Sequence, residues 1–268
     1  MQNLFGFLAA MLIAATTVQG NALALANPES EMTTTHTQSN KFVSALPPEK
    51  GPVEVTVSFD LRDIDHIDDE AETFEFTGVL KVSWHDSRQA FDPIVEGVDE
   101  KIYQGNFQFD EAFSGWFPQL ILVNESGLYE KHGVLLRVRS DGSLSLFETV
   151  NAVAKVDLNL RRYPVDQQRL EAIFHILGFD SKEIVLQLEP EYNDGDLNIE
   201  ELFEMPQWNL TRIKSSIGTR NTPLIGKGAT TSTFNVSIYL ERNSFFVIRL
   251  VILPLIIIVM LSWSVFWM

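Results

Sequence analysis

From Phe245 to Met268 the chain reads FFVIRLVILPLIIIVMLSWSVFWM, and its last nineteen residues, from Leu250 on, carry no charge. A helix of that length, rising about 1.5 Å per residue, crosses the hydrocarbon core of a bilayer. Trp263 and Trp267 fall near its end, where amphipathic indole rings favour the headgroup region. Pro254 withholds one backbone donor, which a bundled membrane helix tolerates because neighbouring groups satisfy the freed carbonyl. A core helix of a soluble domain rarely runs this far without a polar face. The stretch therefore predicts a membrane span. No Lys or Arg follows it as a cytoplasmic anchor, so the sequence is expected to be an unfinished part of a longer chain.

The other terminus gives the orientation. Leu4 to Ala15 is an apolar run of signal-peptide length, too short to span. Ala22-Leu23-Ala24 and Ala24-Leu25-Ala26 offer small-residue cleavage patterns, and cleavage is expected after Ala26. The organisation that follows is a signal peptide over 1–26, a disordered Ser/Thr-rich leader over 27–46, an exported domain over 47–243 and the span over 244–268. The last helix then runs from outside inward.

Between these segments the hydrophobic period is two. Val53, Val55, Val57, Phe59 and Leu61 alternate with polar residues, as do Phe74, Phe76, Leu80, Val82 and Trp84. An acidic turn is expected between them, over Asp63 to Glu72. Val134, Leu136 and Val138 lead into Ser140-Asp141-Gly142-Ser143, after which Leu144 and Leu146 alternate back: a hairpin with Asp-Gly at its tip. Further strands begin at Leu170, Ile184, Trp208 and Phe234. No segment before Phe245 holds a helical period over three turns. The fold class is all-β, an antiparallel β-sandwich followed by one transmembrane helix.

Chemistry is excluded more easily than assigned. A net charge of −16 with only 20 Lys and Arg argues against nucleic acid and anionic lipid as partners. Membrane lipid contacts the chain through the span. There is no cysteine, so thiolate catalysis and Cys-based metal sites are ruled out. The five histidines are scattered without an i, i+4 pair, and no GxSxG or phosphate-cradling loop occurs. The acidic run Glu191 to Glu201 lacks the glycine placement of a calcium loop. Three N-x-[ST] sequons, at Asn124, Asn209 and Asn235, are too common a pattern to weigh. The reading is not an enzyme: no catalytic residue, no metal, no cofactor.

One loop remains, Arg161-Arg162-Tyr163-Pro164-Val165-Asp166-Gln167-Gln168, between two strands. By itself it is an ordinary turn with φ fixed by Pro164. Trp116-Phe117-Pro118-Gln119-Leu120 precedes it, and Arg242-Asn243-Ser244-Phe245-Phe246 leads into the span with its Ile252-Leu253-Pro254-Leu255. Together these resemble the pentameric ligand-gated ion channels. Asp68 to Phe74 and Ser83 to Pro93 sharpen the resemblance toward the Cys-less, proton-gated bacterial branch, in which the disulfide of animal receptors is missing from this loop.

The resemblance implies a ten-stranded extracellular sandwich on a bundle of four membrane helices, five subunits around a pore, with the agonist bound between sandwiches. It implies a homo-pentamer in the full-length parent, in a bacterial inner membrane, with the N-terminal domain periplasmic and protons or a small molecule as agonist. Movement passes through the turn after the first strand, the proline loop and the strand before the membrane. Those map here onto a proton-sensing interface of Asp63, Asp69, Glu72, Asp166 and Arg242, and a coupling loop of Arg162, Tyr163 and Pro164. Phe179 and Trp208 are the ligand-pocket candidates. The tip from Thr219 to Gly228 has no aromatic residue, which disfavours an ammonium agonist because such pockets use ring faces. A single-span ligand-sensing module without conductance is the alternative reading.

Overall fold

Strict alternation produces the longest strands. In β2 (Thr73–His85) and β6 (Ser143–Lys155) every second side chain is buried and those between are half-exposed. In a computed structural model of the chain, residues 46–48, 51–190, 205–222, 225–226 and 228–267 are described. The expected signal peptide, nearly all of the leader, the acidic run 191–201 and part of the 219–228 tip lie outside them. The other strands among the described residues are β1 (Val53–Asp68), β3 (Glu100–Gln104), β4 (Leu120–Leu122), β5 (Glu125–Arg139), β7 (Gln167–Ile176), β8 (Ile184–Leu188), β9 (Trp208–Asn221) and β10 (Thr230–Arg242).

They form two sheets, of order β3-β5-β6-β2-β1-β8 and β4-β7-β10-β9. All neighbours pair antiparallel except the edge pair β1 and β8, where Val53 to Val57 run parallel to Ile184 to Leu188. That exception follows from the connection. The chain leaves β7 in one sheet and crosses to the other, so it is not returning from a hairpin.

The inward faces meet in an aromatic ladder that spans both sheets. Phe59 packs edge-on against Phe76 at 5.9 Å and tilts onto Phe174 at 5.7 Å, which stacks on Phe234 at 6.2 Å. All four are essentially inaccessible to solvent, and each such ring contributes roughly 1.5–3 kcal/mol by leaving water. Gly78 is what lets Phe59 lie flat: a Cβ there would sit 2.3 Å from Phe59 Cζ and 2.8 Å from the Asp60 carbonyl.

Three local outcomes differ from the pattern in the sequence. The acidic segment is mostly strand, because β1 continues through Asp68 and only Asp69 to Glu72 turn. Two register irregularities, at Leu61/Asp63 and Ile64/His66, break the alternation there. The first half of β5 was illegible because Glu125 to Gly133 is solvent-facing and bulged against β6. Edge strands β3 and β4 are too short to show a period.

At Asn243 the backbone turns from β10 into helix. Residues Ser244–Val247 and Leu253–Val265 are α-helical, and Ile248–Ile252 form a wider turn in which the Leu253 N–H donates to the Ile248 carbonyl, five residues back. The widening directly precedes Pro254, whose ring cannot lie against the carbonyl four residues back. Ile248–Val265 is long and apolar enough to cross a membrane, with mean hydropathy 2.4. Its hydroxyls bond to their own helix, Ser262 Oγ to the Ile258 carbonyl at 2.9 Å and Ser264 Oγ to that of Leu261 at 2.7 Å.

Candidate functional site

Arg242 is the last residue of β10, two residues before the helix, and it is 3% exposed. It continues the inward phase of Phe234, Val236, Ile238 and Leu240, so strand geometry alone points its side chain into the sandwich base. Asp166 does the same from the other direction, in phase with Leu170, Ala172 and Phe174 of β7. The Arg242 N–H donates to the Asp166 carbonyl at 3.0 Å and Arg242 Nε to Asp166 Oδ1 at 2.9 Å. Arg242 Nη2 donates to both oxygens of Asp69, at 3.1 and 3.0 Å.

The guanidinium is also held by aromatic rings. Trp208, paired opposite Arg242 on β9, presents its ring 4.0 Å from the guanidinium carbon, and Tyr163 presents its ring at 5.0 Å. Such contacts are each worth about 0.5–2 kcal/mol, the more so when dry. One cation thus joins four segments: the β1–β2 turn, the proline loop, the start of β9 and the end of β10. The two carboxylates exceed it by one charge. The Asp166 side chain is 1% exposed and that of Asp69 37%, so solvent protons reach the pair from the Asp69 side.

Backbone bonds lock the same junction. The Val156 N–H donates to the Glu72 carbonyl at 2.9 Å, tying the β1–β2 turn to the start of the proline loop. Asn243 N–H donates to the Gln207 carbonyl at 2.8 Å, and its side-chain amide to that of Pro206 at 3.2 Å. Within the turn, Asp68 Oδ1 accepts from the N–H groups of Glu70 and Ala71, at 2.9 and 2.8 Å. The Ala71 bond and then the Glu70 bond hold the Asp68 carboxyl below its ordinary pKa.

Of the acids expected at the interface, the structure brings Asp69 and Asp166 to Arg242, and not Asp63 or Glu72. Asp63 is exposed on β1, and its carboxylate accepts from the adjacent Ile64 N–H at 2.8 Å. Glu72 is exposed, with left-handed backbone at φ 52°, and it enters the junction through its carbonyl. In the coupling loop Tyr163 faces Arg242, Pro164 is half-buried and Arg162 is exposed.

Phe179 and Trp208 do not line one pocket. Trp208 lies opposite Arg242 at the base, whereas Phe179 follows the far end of β7 and packs edge-on against Trp116 at 6.0 Å. Along β10 the separation between these levels, Arg242 to Thr233, is nine residues, about 30 Å in a strand. The cleft that Trp208 lines, with Asp65 to Ile67 and Met205 to Gln207, holds ≈ 150 Å³, below the range of small-molecule sites.

Gln168 escaped the sequence reading. It is buried at the base with its amide between Asp166 and Asn159. Its phase was the available signal, because it shares the inward face of β7 with Leu170.

Comparison with known proteins places these features together. Residues 30–244 match the family described as the neurotransmitter-gated ion-channel ligand binding domain. The chain is similar to the proton-gated ion channel of Gloeobacter violaceus, 30% identical over 227 residues covering 84% of this chain and 60% of that one. It is also 26% identical to the beta-4 subunit of the gamma-aminobutyric acid receptor of Gallus gallus, over 81% of this chain and 42% of the relative. The rho-3 subunit of that receptor from Homo sapiens is 26% identical over 90% of this chain and 50% of the relative. The chain therefore spans between about two fifths and three fifths of the length of these relatives.

Proposed function

This chain belongs to the neurotransmitter-gated ion-channel ligand-binding domain family, and from that premise we propose that it is the ligand-binding domain and first membrane helix of a proton-gated, cation-selective, homo-pentameric channel subunit. The observation that carries the reading is Arg242, clamped between carboxylates of two loops and placed two residues before the membrane helix. A proton taken up by an acid of this junction removes a partner of the guanidinium. The freed cation is on the strand that continues into the membrane, so the local change bears on the helix.

The energetics are sufficient. If opening shifts one carboxylate per subunit by one pKa unit, the gain is about 1.4 kcal/mol each, roughly 7 kcal/mol for five. Turning a 1:99 equilibrium into 99:1 takes about 5.5 kcal/mol. The similarity to a proton-gated channel supports protons as the agonist. The location we propose is a bacterial inner membrane, with the sandwich periplasmic.

The test is to express the full-length subunit containing this chain and apply acid steps under voltage clamp. Inward cation current that rises as pH falls is the expected result. A membrane-inserted protein that carries no current at any pH would overturn proton gating.

A further inference from the structure

We infer that Gln168 is the positioning residue of this junction, holding the Asp166 carboxylate on Arg242 by clamping it to the backbone of Asn159. The inference deepens the proposed gating role and rests on it in only one of its two readouts.

The geometry is as follows. Gln168 is 4% exposed. Its Oε1 accepts from the Asn159 N–H at 3.0 Å, and its Nε2 donates to the Asn159 carbonyl at 3.1 Å. The same Nε2 donates to Asp166 Oδ2 at 2.6 Å, while Asp166 Oδ1 is taken by Arg242 Nε at 2.9 Å. One primary amide thus uses both of its N–H groups and its oxygen, and the carboxylate is held at both oxygens.

There is a topological reason for an amide at this point. Residues 156–162 leave β6 in one sheet and must be fixed to β7 in the other, where no ladder exists between them. The chain has no cysteine to close the loop covalently. Two side-chain amides supply the missing bonds. Asn124 Nδ2 donates to the carbonyls of Lys155 and Glu171, at 2.8 and 2.6 Å, and Asn124 Oδ1 accepts from the Ile173 N–H at 3.1 Å. Gln168 does the equivalent at Asn159 and alone extends the clamp to the charged centre. Displacement of the 156–162 segment therefore moves the Asp166 carboxylate, and with it the register of Arg242.

The charged groups around this amide are Asp166 and Arg242 in direct line, Asp69 across the guanidinium, and Lys155, Asp157, Arg169 and Glu171 around the adjoining cleft. Gln168→Leu deletes all three bonds and leaves an apolar side chain in their place. Gln168→Glu keeps the acceptor for Asn159 but sets a carboxyl oxygen against Asp166 Oδ2, where two ionised carboxylates cannot stay 2.6 Å apart. That variant should regain the native geometry only when a proton bridges the pair.

The first readout is hydrogen exchange of the Arg242 side-chain Nε–H, followed by arginine-selective nitrogen NMR of the full chain in detergent. Gln168→Leu is expected to speed this exchange at least about tenfold, the scale of a lost bond to a charged group. Compared with wild type at the same pH, Gln168→Glu is expected to exchange faster at pH 7.5 and to match wild type near pH 4.5. The second readout is the proton concentration for half-activation of the full-length subunit, which Gln168→Glu should move by at least about threefold. Wild-type Arg242 exchange in Gln168→Leu, or in Gln168→Glu at both pH values, would overturn the inference. If Gln168→Leu does not fold, the acid rescue of Gln168→Glu decides. Should the subunit prove to carry no proton-evoked current, the exchange arm still tests Gln168, so the two failures stay distinct.

Discussion

Arg242 and Asp166 meet twice, once through backbone at 3.0 Å and once through side chains at 2.9 Å. The backbone bond fixes the spacing of the two residues, so the ion pair forms without the usual entropy of two free side chains finding one another. Both side chains are almost wholly buried. Removing the cation would strand a carboxylate in the protein, at a cost of about 3–5 kcal/mol. Arg242→Gln is therefore expected to lower stability on that scale in denaturant titrations of the full chain. Arg242→Lys should recover little, because a single ammonium cannot reproduce the two-sided fork to Asp166 and Asp69. Stability within 1 kcal/mol of wild type for both variants would refute this reading of the centre.

Asp69 and Glu72 are three residues apart in one turn, and the structure separates their roles. Asp69 takes two bonds from Arg242, while Glu72 contributes a carbonyl and adopts φ 52°. Asp69→Asn should displace the half-activating pH of the full-length subunit, and Glu72→Gln should leave it in place. Glu72→Gly should be neutral or stabilising by up to roughly 1 kcal/mol, since glycine adopts left-handed backbone without penalty. A larger pH displacement from Glu72→Gln than from Asp69→Asn would reverse the assignment.

His175 lies on the outward phase of β7, opposite Thr233 of β10. Burial, and then the Arg220 cation, lower its pKa from the ordinary 6.5. Here the fold prefers the neutral ring, so the unfolded chain takes up the proton first as pH falls. Stability is then lost progressively from about pH 6.5 down to the folded pKa. His175→Gln should match wild type at pH 8 and become the more stable of the two near pH 5. Parallel urea midpoints for the two proteins across that range would contradict it.

Gly78 gives a packing prediction independent of charge. A methyl group there meets Phe59 at 2.3 Å and backbone at 2.8 Å, and the ring has no free space in the ladder with Phe76 and Phe174. Gly78→Ala should cost about 1–3 kcal/mol, the range of overpacked cores. An unchanged urea midpoint would mean that the ladder yields more readily than its packing implies.

Much of this protein is decided locally and is therefore written in its sequence. Alternation placed β1, β2, β6, β7 and β10 because each buries one face against the opposing sheet, and a period of two survives in any such strand. The uncharged apolar length from Leu250 on marked a helix long enough to cross a membrane for an equally local reason: a bilayer core takes about twenty predominantly apolar residues. Phase even held the inward direction of Asp166, Gln168 and Arg242, all three of which stand in stretches read from the sequence. The partners were another matter. Asp63, Asp69 and Glu72 share one acidic segment and cannot be told apart by composition. Two register irregularities in β1 and the left-handed turn at Glu72 send only Asp69 to the guanidinium. Nothing in the sequence sets Trp208 against a cation, and only the pairing of β9 with β10 places it opposite Arg242. Gln168 was silent, because an amide shows its purpose only when the two sheets bring Asn159 and Asp166 to either end of it. Which side chains face inward follows from strand geometry. Which of them meet is settled by cross-strand register and the packing of one sheet on the other, joining residues up to 173 positions apart.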